Sequence, residues 1–413
     1  MIKTFRKKIL KKIRSIIWKD WMDDNKYFGG GISNTGETVT TATVLNLSAV
    51  WAATQFLART MAALPLKVFK KTDAGKEPDY NHPLYKILYL KPNSEMTAYT
   101  WRSLIMVDVC LHGNHYAEIQ RNYMGEPVAL WPITNSRVTP FRNEKKLLRY
   151  KVTMPNGGDD VILAPHQMIH LKGLSNDGII GLSVISAARE VLGLALACQN
   201  SAGTFFKNGS QLSGVLEHPG TKNLGLSDPA HDRIRKSWED THKGIPQAHR
   251  IAILEEGMTF KAISISPQDA QLLASRKFSN QEIARFFGIP LHKIQDLEKA
   301  TNNNIEHQSM ETVTDSILPY TINFEQEFQT KLFTDDEFLT HYPKHILQGL
   351  LRGDTETRFN GYHIAKMDGW MSANEIRRLE DMNDLPNGKG NEYYIPLNYA
   401  PIAKVGKGEN DAK

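Results

Sequence analysis

The chain of 413 residues predicts an α+β fold, and three patterns lead to that reading. Residues 46–63 repeat apolar side chains at helical spacing. Residues 115–172 break into short runs of strand character. Beyond residue 183 long helical stretches return, separated by a small strand pair.

Residues 23–43, around Gly29-Gly30-Gly31 and a Thr-rich stretch, read as a linker. In the helix from about 46 to 63, Leu47, Val50, Trp51, Thr54, Leu57, Ala58 and Met61 line one face, and Pro65 stops it. Leu66–Lys70 reads as a strand and Thr72-Asp73-Ala74-Gly75 as a turn. Residues 95–111 form a second helix that closes at Leu111-His112-Gly113-Asn114, where Gly or Asn takes the left-handed conformation. Strands follow at His115–Arg121, Pro127–Ile133, Tyr150–Met154 and Gln167–Leu171, with a turn at Asn156-Gly157-Gly158.

Residues 183–206 read as one helix rich in small residues (Ala187, Ala188, Gly193, Ala195, Ala197), a surface suited to close packing against a neighbour. A strand at 213–217, a polar helix at 228–243, a strand pair at 249–264 and a helix at 267–287 come next, ending at Gly288-Ile289-Pro290. Residues 290–304 read as a loop. The long helix after it carries Val313, Ile317, Tyr320, Phe324, Phe328 and Leu332 on one face, and Pro319 should bend it by removing one hydrogen bond. Ser372-Ala373-Asn374-Glu375 is a capping box for a helix through Arg378–Met382, and the small, polar tail is expected to be disordered.

The bulk composition, 41% apolar and 23% charged, is that of an ordinary globular protein, and no run of about 18 apolar residues marks a membrane span. Two cysteines, Cys110 and Cys198, supply no disulfide framework and fit a reducing compartment. Charge is unevenly placed: residues 1–19 hold eight basic side chains and no acidic one, so removing them from the chain's net +5 leaves −3 for the remainder. A protein that grips nucleic acid over its whole surface would not have a body so near neutrality. The basic segment spaces Ile2, Phe5, Ile9, Ile13, Ile16 and Ile17 along one helical face. It reads as a membrane-surface helix, as an arm lying on nucleic acid or a partner, or as a terminal helix that orders only on assembly.

Motifs for chemistry are missing. No phosphate loop is present, since the Gly-Lys pairs at 388 and 406 lack the upstream glycine. No dinucleotide fingerprint, nucleophile elbow or His-Glu-x-x-His occurs. Cys110-Leu-His112-Gly-Asn-His115 is the nearest approach to a metal site, but a tetrahedral zinc needs a fourth ligand and none stands at short spacing. Asp335-Asp336-Glu337 reads as a solvated acidic loop, because three consecutive acids cannot face one point on regular structure. No catalytic residue, cofactor or metal ligand is therefore assigned.

A series of phrases resembles the portal proteins of tailed bacteriophages with the HK97-type head. They are, in order, His82-Pro83-Leu84 with Leu88 and Lys91-Pro92-Asn93; Leu111-x-Gly113-Asn114-x-Tyr116; Leu130-Trp131-Pro132-Ile133; His170-Leu171-Lys172-Gly173; and Asp177-Gly178-x-x-Gly181-Leu182-Ser183. Phe206-x-Asn208-Gly209, Gly214-Val215-Leu216, Leu254-Glu255-x-Gly257-Met258, Ser266-Pro267-Gln268-Asp269, Glu282-Ile283-Ala284-Arg285 and Gly288-Ile289-Pro290 follow. Gly369-Trp370-Met371-Ser372-x-Asn374-Glu375-Ile376-Arg377 closes the series, which spans about residues 44–397. Val184 stands where a proline is common, and Gln211-Leu212 replaces a small-x-Pro phrase.

The resemblance implies the portal fold: an α/β wing, a two-helix stem, a small α/β clip, a long kinked helix and a helical crown. The implied divisions are a basic arm and linker at 1–43, the wing at 44–182, stem helices at 183–207 and 267–288 and the clip at 208–266. The tunnel loop falls at 290–304, the long kinked wing helix and return segment at 305–344, the crown at 345–397 and a disordered tail at 398–413. It also implies a non-enzymatic ring, typically of twelve subunits, at one capsid vertex of the virion. Assembled in the bacterial host cytoplasm, such a ring is the head-tail connector through which double-stranded DNA enters and leaves. The partners implied are the terminase large subunit, the major capsid protein and a head-completion or adaptor protein, with scaffold or membrane contact through residues 1–19. In the tunnel loop Lys293, Lys299, Thr301, Asn302, Asn303 and Asn304 are candidates for sequence-blind contact with DNA, the two lysines being offset by Asp296 and Glu298. On the clip Arg233, Arg235, Lys236, Glu239 and Asp240 are candidates for terminase contact. Two rival readings are a DNA-processing nuclease of the packaging apparatus and a membrane-surface scaffold that uses the basic helix.

Overall fold

The computed structural model describes residues 30–73, 75–155, 158–207, 214–217, 229, 232–236, 259–262, 268–296, 311–347, 355–380 and 382–394. The basic arm at 1–19 and the tail at 398–413 lie outside them, as do Asn156 and Gly157 of the expected turn. The described residues up to 346 form one compact unit and those from 347 onward a second.

The larger unit opens with a hairpin of β1 (Gly31–Ile32) and β2 (Thr38–Val39), followed by helix α1 (Ser48–Ala63). Strands β3 (Leu66–Thr72) and β4 (Gly75–Pro78) then lead to helix α2 (Ala98–His112). Helices α1 and α2 lie along each other. Between them Leu57, Met61, Trp101, Ile105 and Met106 are almost wholly buried, each such side chain contributing on the order of 1.5–3 kcal/mol. Trp51 departs from the expected face: it is 54% exposed, while Ala49, Val50, Ala53 and Thr54 fill that end of the helix. Arg102 of α2 is buried without a carboxylate. Its guanidinium donates to the carbonyls of Ala62 and Leu88, satisfying an orphan acceptor at the end of α1.

The strand block forms two three-stranded antiparallel sheets, β10–β5–β6 and β7–β8–β9. They comprise β5 (Asn114–Arg121), β6 (Pro127–Ile133), β7 (Val138–Arg142), β8 (Leu148–Val152), β9 (Val161–Leu163) and β10 (Met168–Lys172). Strands β7 and β9 were not expected. Pro140 and the polar ends of β7 hide its alternation, and β9 is only three residues long. Strand β8 begins two residues before its expected start. The free edge of β6 is covered by the Lys91-Pro92-Asn93 phrase: Leu130 N–H donates to the Pro92 carbonyl (2.9 Å), and Asn93 Nδ2 donates to the Leu130 carbonyl (2.8 Å).

The expected helix over 183–206 is broken into a short turn, Val184–Ala187, and α3 (Arg189–Lys207), with Ala188 leaving helical geometry between them (φ −93°, ψ 12°). At Gly193 the neighbour is the chain itself. A Cβ on Gly193 would stand 2.2 Å from Ser33 Oγ, so glycine is what lets the first hairpin cross α3. Strands β11 (Gly214–Glu217) and β12 (Thr259–Ala262) pair antiparallel, and residues 249–258 of the expected strand pair lie outside the described residues. Helix α4 (Gln268–Phe287) packs against α3 and α1.

Helix α5 (Leu318–Leu332) and strand β13 (His341–His345) complete the unit, β13 joining the sheet β13–β3–β4. Pro319 does not bend the interior of a long helix as expected. Residues 312–317 wind as a π-helix, and Pro319 sits in the first turn of α5, where its missing N–H costs nothing. Strand β13 is held to α5 by Glu325, whose carboxylate accepts from the His345 backbone N–H (2.6 Å) and lies 2.9 Å from its Nδ1.

The phrases of the family resemblance converge on one buried knot between β5, β10 and the 173–183 loop. Gly113 ends α2 in the left-handed region (φ +76°), which frees the chain to turn directly into β5. Its neighbour Asn114, 1% exposed, pairs both ways with Gly181: Nδ2 donates to the Gly181 carbonyl (2.8 Å) and Oδ1 accepts its N–H (2.7 Å). Oδ1 also lies 2.9 Å from His170 Nε2, whose other ring nitrogen faces the Tyr150 hydroxyl at 3.3 Å. Gly173 N–H donates to the Gly113 carbonyl (2.8 Å), and Ser183 Oγ donates to the Leu111 carbonyl (2.8 Å). Asp177 caps the loop by accepting the N–H groups of Ile179 and Ile180. A Cβ on Gly181 would fall 1.9 Å from the Gly113 carbonyl oxygen.

The smaller unit contains α6 (Thr355–Met367) and α7 (Ala373–Leu379). The expected capping box is present: Ser372 Oγ accepts Glu375 N–H (3.3 Å), and Glu375 Oε2 accepts Ser372 N–H (2.7 Å). Helix α7 stops at Leu379, short of the expected Met382. Asn374 is 1% exposed; its Nδ2 donates to Asn391 Oδ1 and its Oδ1 accepts Leu385 N–H. Arg358 pairs with Glu380 at 2.8 Å.

Replacing Asn114 with Ala strands the Gly181 amide and carbonyl and the His170 ring, and is expected to lower stability by about 3 kcal/mol in urea unfolding. Gly181→Ala should abolish the cooperative transition, because backbone rather than a flexible side chain blocks its Cβ. A loss under about 1 kcal/mol for Asn114→Ala would show that the knot is incidental.

Candidate functional site

Helix α4 ends at Gly288, which takes φ +63° so that the chain can reverse into Ile289 and Pro290. A 3₁₀ turn, Leu291–Ile294, follows, with Gln295 in the left-handed region (φ +66°). Ser316 on the π-helical turn donates its hydroxyl to the Gly288 carbonyl (2.5 Å). One hydrogen bond therefore ties the chain entering the 290–304 loop to the chain that follows it. Lys293 sits at the base of this loop, its ammonium 5.5 Å from the centre of the Phe56 ring of α1, and partial burial lowers its pKa. Lys299, Thr301, Asn302, Asn303 and Asn304 lie outside the described residues, as does Glu298.

Of the candidates for terminase contact, Arg233, Arg235 and Lys236 are exposed on the helical stretch 232–236. Glu239 and Asp240 lie outside the described residues.

The metal-like phrase of α2 has other work. Cys110 is buried among apolar side chains, and burial pushes its thiol up to about 12, so it remains protonated. His115 Nδ1 lies 2.8 Å from Asp108 Oδ2, and burial lowers the pKa of His112 against the opposing pull of Asp108. Of the acidic run, Glu337 is tied rather than free: Oε2 accepts the Thr334 N–H and hydroxyl, and Oε1 lies 3.2 Å from His82 Nε2. Among the described residues no group of three or more His, Cys, Asp or Glu side chains converges as a metal site would.

Sequence reasoning missed a set of histidine–carboxylate contacts that sew α5, β13 and the turn between them to the strand block. His82 meets Glu337, His341 lies 3.5 Å from Asp79, His345 meets Glu325, and the His170 backbone N–H donates to Glu327. Three of these four join residues more than 150 positions apart, so no local pattern announces them.

Comparison with known proteins matches residues 48–381 to the family model for phage portal proteins. The portal protein of Enterobacteria phage HK97 is 31% identical over 368 residues, covering 88% of this chain and 84% of its own. A probable portal protein of Streptomyces phage phiC31 is 31% identical over 406 residues, covering 95% and 86%. Among solved structures, an HK97-family portal protein from Corynebacterium diphtheriae superposes with a TM-score of 0.58 at 18% identity, covering 76% of this chain and 96% of its own. A chain from the neck of a native gene transfer agent particle, computed with C12 symmetry, gives 0.56 at 20% identity, covering 83% and 92%.

The buried histidines make stability depend on pH. Desolvation holds His170 well below its ordinary range, and burial also lowers His345 and His112. Because the unfolded chain binds these protons near pH 6.5 and the folded chain does not, stability is complete above that pH and falls as pH drops through it. Each histidine adds a slope of up to about 1.4 kcal/mol per pH unit. The urea midpoint at pH 5.5 should lie clearly below that at pH 7.5; a midpoint that rises on acidification would contradict the assignment.

Proposed function

This chain belongs to the phage portal protein family, and from that premise we propose that it closes into a ring at one capsid vertex of a virion through which double-stranded DNA passes. The observation that carries the reading is the family match, continuous from residue 48 to 381, with 31% identity to a phage portal protein over most of both chains. The C12 symmetry of a structurally similar particle neck supports twelve subunits.

Ring closure joins two different, complementary patches on each subunit, since only a heterologous contact closes by rotation. The assignments of wing, stem, clip, tunnel loop and crown follow the divisions implied by the resemblance. Helices α3 and α4 serve as the stem, β11 and β12 lie in the clip, and α6 and α7 in the crown. A conduit must not hold phosphates tightly, because each phosphate neutralised by Lys or Arg releases counterions and adds affinity. A body with a net charge of −3 outside the basic arm meets that need. Lys293, packed against Phe56, anchors the base of the tunnel loop, leaving Lys299 and Thr301 to Asn304 for weak contacts with phosphate and sugar.

The subunit performs no chemical step. The energy for DNA movement comes from the terminase motor, for which the clip, with Arg233, Arg235, Lys236, Glu239 and Asp240, is the docking face. The major capsid protein and a head-completion protein are the other partners, and residues 1–19 serve assembly in the host cytoplasm.

Two experiments test the reading. Mass photometry of the purified full chain should give one dominant species with the mass of twelve chains; a stable monomer would overturn it. Asn302→Lys with Asn304→Lys should leave the ring intact but reduce the DNA packaged per head several-fold, as the added cations retard the duplex. Full packaging by that variant would remove residues 302–304 from the tunnel wall.

A further inference from the structure

The sheet β13–β3–β4 carries an unusual arrangement of charge. Along β3, Leu66 and Val68 point into the core, while Lys67, Phe69 and Lys71 lie on the opposite face. Strand β13 sets Lys344 directly opposite Lys67, and Tyr342 opposite Phe69. Strand β4 sets Lys76 directly opposite Lys71. Four lysines thus stand around one aromatic pair, Phe69 and Tyr342, whose rings stack at 5.8 Å. Both cross-strand cation pairs are of like charge, an arrangement that destabilises a sheet unless something else compensates.

Among the described residues, nothing acidic on that face compensates. Glu77 pairs with Lys70 on the reverse face, Asp79 is engaged with His341, and Asp73 lies in the turn. The ammonium groups rest over rings instead: Lys67 over Tyr80 and Tyr89, Lys71 over Tyr342 and Lys76 over Phe69, at 5.7 to 5.9 Å. Tyr80 in turn lines an open cavity with Lys86 and Lys91, which extends the cationic surface.

We propose that this lysine face is a second docking surface for double-stranded DNA, separate from the 290–304 loop, which holds the phosphates of a duplex by charge alone. The chemistry selects that ligand over an acidic protein segment. All the cations are lysines, compact point charges without the planar fork with which arginine grips a carboxylate. The central rings lie beneath lysine stems, so they offer no open platform for an apolar side chain or an unstacked base. Lys67 and Lys71 stand about 13 Å apart along the strand, and each faces its partner across about 5 Å. Such a rigid grid finds phosphates in any register of a duplex that carries one charge per about 1.7 Å of its axis.

The test is fluorescence anisotropy of a labelled 30-base-pair duplex with the purified full chain, from 50 to 300 mM NaCl. The four-fold variant Lys67→Gln, Lys71→Gln, Lys76→Gln, Lys344→Gln should bind at least about tenfold more weakly at 50 mM, with the salt slope shallower by about three. Lys71→Gln with Lys76→Gln, both exposed near the hairpin end, provides a variant that keeps the fold and should lose about half that slope. Native and variant chains share residues 1–19, so the difference between them reports the lysine face. Lys293→Gln with Lys299→Gln should leave this component intact, which separates it from the tunnel reading. Unchanged binding by the folded double variant overturns the proposal, as does a polyglutamate peptide binding this face more tightly than the duplex.

Discussion

Between Gly113 and Gly181 the backbone of the α2–β5 junction meets the 173–183 loop so closely that neither position can carry a side chain. Asn114 closes the contact by pairing with both polar groups of Gly181 while accepting a bond from the His170 ring. From this point α2, β5 and β10 take their relative positions, and Ser183 leaves the knot to cap the short helical turn that precedes α3. A buried amide network of this kind rewards completeness, because each member left unpaired in a low-dielectric interior costs more than its bond contributed. The spacing of Gly113, Asn114, His170, Gly173, Gly181 and Ser183 therefore records an architectural requirement, and the phrases that place this chain among portal proteins are mostly phrases of folding.

Much of this was legible in the sequence because the signals were local. Helix α2 ends where Gly113 demands it, the capping box at Ser372 and Glu375 forms as written, and β6 occupies the expected residues. The failures have physical causes. Trp51 shares helical spacing with core residues but sits at the rim, where small alanines satisfy the packing instead. Gly193 belongs to a small-residue stretch that suggested close packing against a neighbour, and at that glycine the neighbour is the first hairpin of the same chain. Pro319 reads as a helix breaker, yet a π-helical turn ahead of it places the ring where no hydrogen bond is lost. Three of the four histidine–carboxylate contacts that hold α5, β13 and the turn between them join residues more than 150 positions apart and left no periodic trace.

Function is less directly written, because the proposed conduit would be defined by what its lining lacks. The chain concentrates its excess positive charge in the first 19 residues and leaves the rest slightly acidic. The Ser316–Gly288 hydrogen bond ties the chain just before residue 290 to the chain that follows the 290–304 segment, so the origin of that segment is set by the fold and not by its own residues. Lys293, a candidate for contact with DNA, holds its ammonium 5.5 Å from the centre of the Phe56 ring. Where cations do gather, on the β13–β3–β4 sheet, they are separated in sequence from that loop and form a surface of a different kind.

The central claim is that many copies of this chain enclose a hollow axis. Negative-stain imaging of the purified full chain tests it most directly. Uniform rings with a central hole wide enough for a duplex are the result this account predicts, and a field of separate monomers or irregular clusters without an axial opening would contradict it.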